Sequence, residues 1–155
     1  MATRSTIALE YADGTVHQVY CHWDGYLDNN GKILFNDYQD PFKVRALMDL
    51  GDLSSLGSSL GEQHEFDCPH KYGTPEADAW YEEKRGICTF YGRDRGETGT
   101  QARKFKDYAD YRKNAQFEEY NYILRRDGNW YVEFYGEFDG LLSEAFEFKS
   151  LEDAE

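Results

Sequence analysis

The sequence predicts an α+β fold: a single domain, residues 1–155, on a mainly antiparallel sheet of about five strands with four or five helices. Three observations carry this reading. Asp13-Gly14 and Asp127-Gly128 each lie between two runs of alternating apolar residues, the pattern of a β-hairpin. Asp40-Pro41 and Thr74-Pro75 are cap-then-proline pairs that open helical spacing in the middle of the chain. A length of 155 residues suits one domain, and 13 Tyr with 10 Phe supply buried area that Ile, Val and Leu supply elsewhere.

The first hairpin spans residues 5–11 and 16–23. A two-residue Asp-Gly loop pairs Tyr11 with Val16, Leu9 with Gln18 and Ile7 with Tyr20. One face then carries Ile7, Leu9, Tyr11, Val16 and Tyr20, and the other Ala8, Val19, Cys21 and Trp23. Ile33, Leu34, Asp37 and Tyr38 have loose helical spacing. Residues 40–51 form a clearer helix, capped by Asp40, stopped by Gly51 and striped by Val44, Leu47 and Met48. The Gly/Ser-rich run at 51–62 reads as a flexible connection. A helix at 74–86 has Trp80 and Tyr81 as its expected anchors.

Residues 87–91 form a short β-branched and aromatic strand that delivers the chain to YGRDRGETG. A further helix is expected over 101–115. The second hairpin joins EEYNYILRR to NWYVEFYG. Pairing Leu124 with Tyr131 puts Ile123, Trp130, Val132 and Phe134 on one face, and Tyr120, Tyr122, Leu124, Tyr131 and Tyr135 on the other. Residues 138–151 read as a docking terminal helix before an acidic end.

The net charge is −13, which disfavours direct binding to nucleic acid or to an anionic membrane surface. The charge is uneven: residues 133–155 are strongly acidic and residues 100–126 locally basic. No apolar run approaches the ~20 residues of a membrane-spanning helix. The N-terminus lacks the apolar core of a secretory leader, so a cytoplasmic protein is expected. Three widely spaced Cys do not make a disulfide framework.

Two segments hold the candidate ligand-binding residues. In VYCHWDGY, strand alternation separates Val19, Cys21 and Trp23, expected in the core, from Tyr20, His22 and Asp24, expected to face a cleft. His22 and Asp24 share a pleat face and can form a pair. In YGRDRGETG, Arg93 and Arg95 sit in a Gly-bounded loop suited to an anion or a nucleotide phosphate. The alternative is that both arginines pair with Asp94, Glu97 or acids of the tail. Neither the P-loop nor the GxGxxG pattern occurs. The face bearing Tyr120, Tyr122, Tyr131 and Tyr135 is the candidate partner-binding surface, unless helices cover it. His64, Cys68 and His70 form one loose cluster without CxxC spacing, and no metal or other cofactor is expected. Cys21 and Cys88 lie in strands and read as small buried hydrophobes, not nucleophiles.

The strings ATRSTIALEYADGTV, YCHWDGYLDNNGKIL, FYGRDRGE and EEYNYILRRDGNWYV resemble a family of small proteins of tailed bacteriophages, prophages and some bacteria. The likeness runs through nearly the whole chain. It implies a setting, the host cytoplasm, and no particular chemistry. It points to an acidic accessory protein that inhibits or diverts a host protein of defence or nucleic-acid handling. The alternatives are a binder, or sponge, for a nucleotide-like molecule held by Arg93 and Arg95, and a small hydrolase-like enzyme using His22, Asp24, Arg93, Asp94 and Glu97.

Overall fold

The centre of the molecule is β1 (Ser5–Glu10), buried along its whole length. It lies antiparallel to β2 (Val16–Cys21) on one side and parallel to β6 (Tyr120–Leu124) on the other. A computed structural model describes residues 3–153. Beyond β6 come β7 (Trp130–Phe134) and β8 (Phe138–Leu141), each antiparallel to its neighbour. The far edge of β2 is shared by two short strands. β5 (Arg103–Phe105) runs antiparallel along Val16 to Gln18, and β3 (Leu53–Ser55) meets Cys21 in parallel. β4 (Thr89–Phe90) closes that side against β3.

The fold is α+β, as expected, but the sheet is mixed and has eight strands instead of about five. The extra strands, β3, β5 and β8, are only three or four residues long and too short to show alternation. The helix expected over 101–115 is β5 followed by a shorter helix, α5 (Tyr108–Asn114), which starts at its Asp107 cap. The Gly/Ser-rich run expected to be a flexible connection enters the sheet as β3, with Leu53 and Leu56 buried. Gly57 is needed there for close approach: a Cβ would stand 2.5 Å from the Gly86 carbonyl oxygen.

Both Asp-Gly hairpins carry the same correction. Glu10 pairs with Val16 and Leu124 with Trp130, so each register slips by one residue from the two-residue-loop expectation. The loops close at Tyr11 with Thr15 and at Arg125 with Asn129, with Gly14 at φ 92° and Gly128 at φ 85°. These are longer turns with a left-handed glycine. The slip reverses which side chains share a face. Ile7, Leu9, Val19, Cys21, Tyr122, Leu124, Trp130, Val132 and Phe134 face one core. Ala8, Val16 and Ile123 face the other, with Tyr131 packed against it.

The first core is covered by α1 (Lys32–Asp37) with Leu34, α2 (Pro41–Leu50) with Val44, Leu47 and Met48, and α6 (Leu142–Asp153) with Leu142 and Ala145. As the sequence predicts, Asp40 caps α2 by accepting from Phe42 N, and Thr74 caps α3 (Pro75–Lys84) by accepting from Ala77 N. α3 is peripheral: its buried residue is Ala77, while Tyr81 is exposed and Trp80 donates to Glu65. Phe90 and Phe134 are wholly buried, and burial of such a side chain stabilises by roughly 1.5–3 kcal/mol. Buried tyrosines keep their hydroxyls satisfied: Tyr38 donates to Gly57 O at 2.7 Å and Tyr122 to Gly25 O at 2.6 Å. The second core lies under Tyr111 of α5.

Candidate functional site

The strand end VYCHWDGY is only partly as expected. Val19 and Cys21 are buried, but Trp23 is 44% exposed. Tyr20 and His22 share a face, and the Tyr20 hydroxyl meets His22 Nδ1 at 2.7 Å. His22 N and Trp23 N donate to Leu53 O and Ser54 O, so the chain leaves the sheet alongside β3. Asp24 then takes a left-handed conformation, φ 56°, and its carbonyl accepts from Asn30 N and from the Asn29 amide. That turn removes Asp24 from the pleat, and Tyr20 takes the place expected of Asp24 as the partner of His22.

Arg93 is a structural residue. The segment YGRDR is a helical turn, α4 (Tyr91–Arg95), closed by left-handed Gly96. Arg93 Nε and Nη2 donate to the Asp94 carboxylate at 3.0 and 3.2 Å. Nη1 donates to Leu60 O at 2.8 Å and Gly61 O at 3.0 Å, and Nη2 donates to Cys88 O at 3.0 Å. Those bonds use all five of its N–H groups, so none is left for a phosphate. The Asp94 side chain is wholly buried and also accepts from Phe90 N and His64 N. Burial pushes its carboxyl up, but Arg93 and the two backbone N–H groups outweigh this and hold it below its ordinary value. Arg95 lies over the rings of Phe66 and Tyr91, with Nε 3.3 Å from Glu97. The expected alternative, pairing with neighbouring acids, is what both arginines do. The two segments are neighbours through β3, since Asp52 accepts Tyr20 N on its side chain and Tyr91 N on its carbonyl. Among the described residues, no hydrogen bond or ion pair joins Tyr20, His22 or Asp24 to Arg93 or Arg95.

The expected tyrosine face does not form, because of the register slip. Tyr120 and Tyr122 point into the first core at 7% and 0% exposure. Burial raises the Tyr122 hydroxyl well above its ordinary value. Tyr131 lies on the opposite face and donates to Asp127. Tyr135 is exposed beyond the strand at φ 54°, donating to Glu119 at 3.3 Å.

Cys21 is wholly buried, and burial pushes its thiol up to about 12. Cys88 is raised for the same reason. Buried neutral thiols of this kind are poor nucleophiles. His64 Nε2 lies 3.1 Å from Cys88 O and 3.5 Å from Asp94. Among the described residues, no group of three or more His, Cys, Asp or Glu is placed to hold a metal ion. No described helix is long and apolar enough to cross a membrane.

A cleft of ≈ 460 Å³ opens at the last residue of VYCHWDGY, lined by Tyr26, Leu27, Asp28, Lys32, Tyr120, Phe146 and Lys149. Tyr26 leads into a π-helical turn, Leu27–Gly31, that runs straight into α1. Buried Asn30 ties this turn to β1 by donating to Ser5 Oγ at 3.2 Å. Gly31 is buried where this turn meets Phe146 of α6 and Tyr122. Tyr120 forms the floor, stacked on Tyr122, and Tyr26 forms a rim that is 41% exposed. Lys32 reaches exposed Asp28 at 3.6 Å, and Lys149 lies over the Phe134 ring. π-turns and left-handed non-glycine residues are rare and gather at functional sites, and here both flank the cleft. Sequence reasoning missed Lys32, Phe146 and Lys149, because the cleft joins segments from opposite ends of the chain. Its signal was the Asn29-Asn30-Gly31 string before Lys32, unusual at a helix start.

No family model, no curated protein and no solved structure matches this chain.

Proposed function

We propose that the protein acts by binding, and that the cleft between the π-helical turn and α6 takes an anionic planar ligand of nucleotide type. The observation that carries this reading is the lining itself: Tyr26, Tyr120 and Phe146 beside Lys32 and Lys149. Aromatic faces stack a base, and two ammonium groups answer a phosphate. The lining also holds Asp28, the partner of Lys32, so its two lysines leave a small positive excess in a chain whose net charge is −13. A cleft of ≈ 460 Å³ falls in the ordinary range for small-molecule sites, about 300–1,000 Å³. The phage-type setting that the motif strings resemble fits such a role, because sequestering a nucleotide-like host molecule diverts host machinery without catalysis.

A thermal-shift screen against mono-, di- and cyclic nucleotides tests the reading. A saturable rise in melting temperature is expected with at least one of them. Tyr26→Ala with Lys32→Ala, both at exposed positions, is expected to abolish it. Base stacking is worth about 1–3 kcal/mol, so Tyr26→Ala alone weakens binding by roughly 5- to 150-fold. No shift with any nucleotide, or a shift unchanged in the double variant, removes the proposal.

A second reading, capture of a basic host protein, is favoured by the charge of −13 and by exposed Trp23 and Tyr26. It predicts a complex that weakens steeply with salt. A host-lysate pull-down whose recovered partner is unaffected by salt counts against it.

A further inference from the structure

The second sheet face changes character along its length. Toward the hairpin turns it carries Ala8, Val16 and Ile123 under Tyr111. Toward the other end it carries Thr6, Gln18 and Asn121, at 3%, 2% and 3% exposure. Buried polar side chains cost stability unless hydrogen-bonded, and these are. Thr6 Oγ1 donates to Asn121 Oδ1 at 2.9 Å, Asn121 Nδ2 to Glu133 at 3.0 Å, and Gln18 Nε2 to Gln116 O at 3.2 Å. Together they fix the floor of a groove of ≈ 70 Å³, also lined by Tyr20, Arg103 and Glu118.

The groups around this groove are held from behind. Arg103 Nη1 and Nη2 donate to the two oxygens of Asp52, the second at 3.0 Å. The same carboxylate accepts Tyr20 N at 2.9 Å, so the guanidinium and the strand share one anchor. Tyr20 is itself fixed by His22. The Asp52 pair uses two of the five N–H groups of Arg103, whose side chain is 47% exposed. Among the described residues no hydrogen bond engages its other three N–H groups. Glu118 lines the same groove as an acceptor, and among the described residues no hydrogen bond engages its carboxylate.

A fixed guanidinium and a carboxylate in one small groove select a ligand with an oxyanion at one end and a donor beside it. A volume of ≈ 70 Å³ is several times the ~10–15 Å³ that admits a single water, and so suits only a very small ligand. We propose that this groove is a second site, independent of the larger cleft, for a two- or three-carbon α-amino or α-hydroxy acid. Its carboxylate lies against Arg103, and its ammonium or hydroxyl donates to Glu118. A nucleotide is too large to enter.

Side-chain and backbone NMR of the full chain tests this, with glycine, glycolate, acetate and methylammonium as probes. Glycine, glycolate or both are expected to shift the Arg103 Nε–H and Tyr20 amide signals saturably. Acetate, which lacks the donor, is expected to bind at least tenfold more weakly, and methylammonium not to bind. Arg103→Gln is expected to abolish the shifts. Because that change also leaves Asp52 unpaired, Glu118→Gln is the second variant, expected to weaken glycine more than glycolate. Absence of any saturable shift overturns the site. Equal binding of acetate, or binding unchanged by Glu118→Gln, overturns the ligand class. Neither outcome bears on the nucleotide cleft, which shares no lining residue with this groove.

Discussion

Replacing Arg93 by Met separates a structural arginine from a ligand-binding one. The change removes five hydrogen bonds and leaves the Asp94 carboxylate, whose side chain is 0% exposed, without its counter-charge. Removing one partner of a buried pair costs about 3–5 kcal/mol, because the other charge stays buried and unpaired. A chain of this size has a total stability of about 5–15 kcal/mol, so the loss is a large fraction of it. At about 2–4 °C per kcal/mol, the melting temperature falls by roughly 6–20 °C. Urea denaturation with an unchanged m-value reads the difference directly. Arg95→Met is the control: its side chain is 49% exposed, and a loss under about 1 kcal/mol is expected. A loss that small for Arg93→Met refutes the reasoning and returns Arg93 to the pool of free anion ligands.

The same pair predicts a pH dependence. Asp94 is held below its ordinary value, so its stabilising effect is complete above the unfolded value near ~4 and is lost as pH falls through the native one. The stability gap between wild type and Arg93→Met, measured by urea titration, therefore narrows below about pH 4. Gly57→Ala is expected to destabilise by at least about 1–3 kcal/mol in the same assay, since its Cβ would overlap the Gly86 backbone; a neutral result would mean that this run is a loose connection after all. Tyr122→Phe leaves the buried Gly25 carbonyl without its donor and should cost about 1–3 kcal/mol, whereas Tyr135→Phe at an exposed site should fall within about 0.5 kcal/mol. Thiol labelling of the native protein at neutral pH should modify Cys68 first, with Cys21 and Cys88 reacting only on unfolding.

The two hairpins show where sequence reasoning succeeded and where it failed. Asp-Gly located both turns correctly, because only a left-handed position favours glycine so strongly. Loop length was misread. Asp13 accepts from Thr15 N and Thr15 Oγ1, and Asp127 accepts from Asn129 N. A polar residue directly after each glycine is the sign of this longer, Asp-anchored turn. Missing it by one residue inverted the faces and suggested a tyrosine surface that the protein splits, burying Tyr120 and Tyr122, turning Tyr131 to the other face and leaving Tyr135 exposed. The helix starts at Asp40 and Thr74 were legible because capping is local chemistry. The fate of Arg93 was legible only in its pairing with Asp94, since three of its partners are backbone carbonyls of Leu60, Gly61 and Cys88, which no side-chain pattern reveals. The groove was half legible: alternation rightly turned Tyr20 and His22 to one face, but the arginine that joins Tyr20 is Arg103. Of the cleft, only Tyr120 was among the expected site residues, and it was assigned to a tyrosine face that does not form.

The central claim is that function resides in the cleft after VYCHWDGY and not in the arginine turn. Amide chemical-shift mapping with the nucleotide panel tests it most directly. The account predicts saturable shifts centred on residues 26–32 and Phe146, with residues 91–97 unmoved. Shifts centred on 91–97, or none at saturating nucleotide, would contradict it.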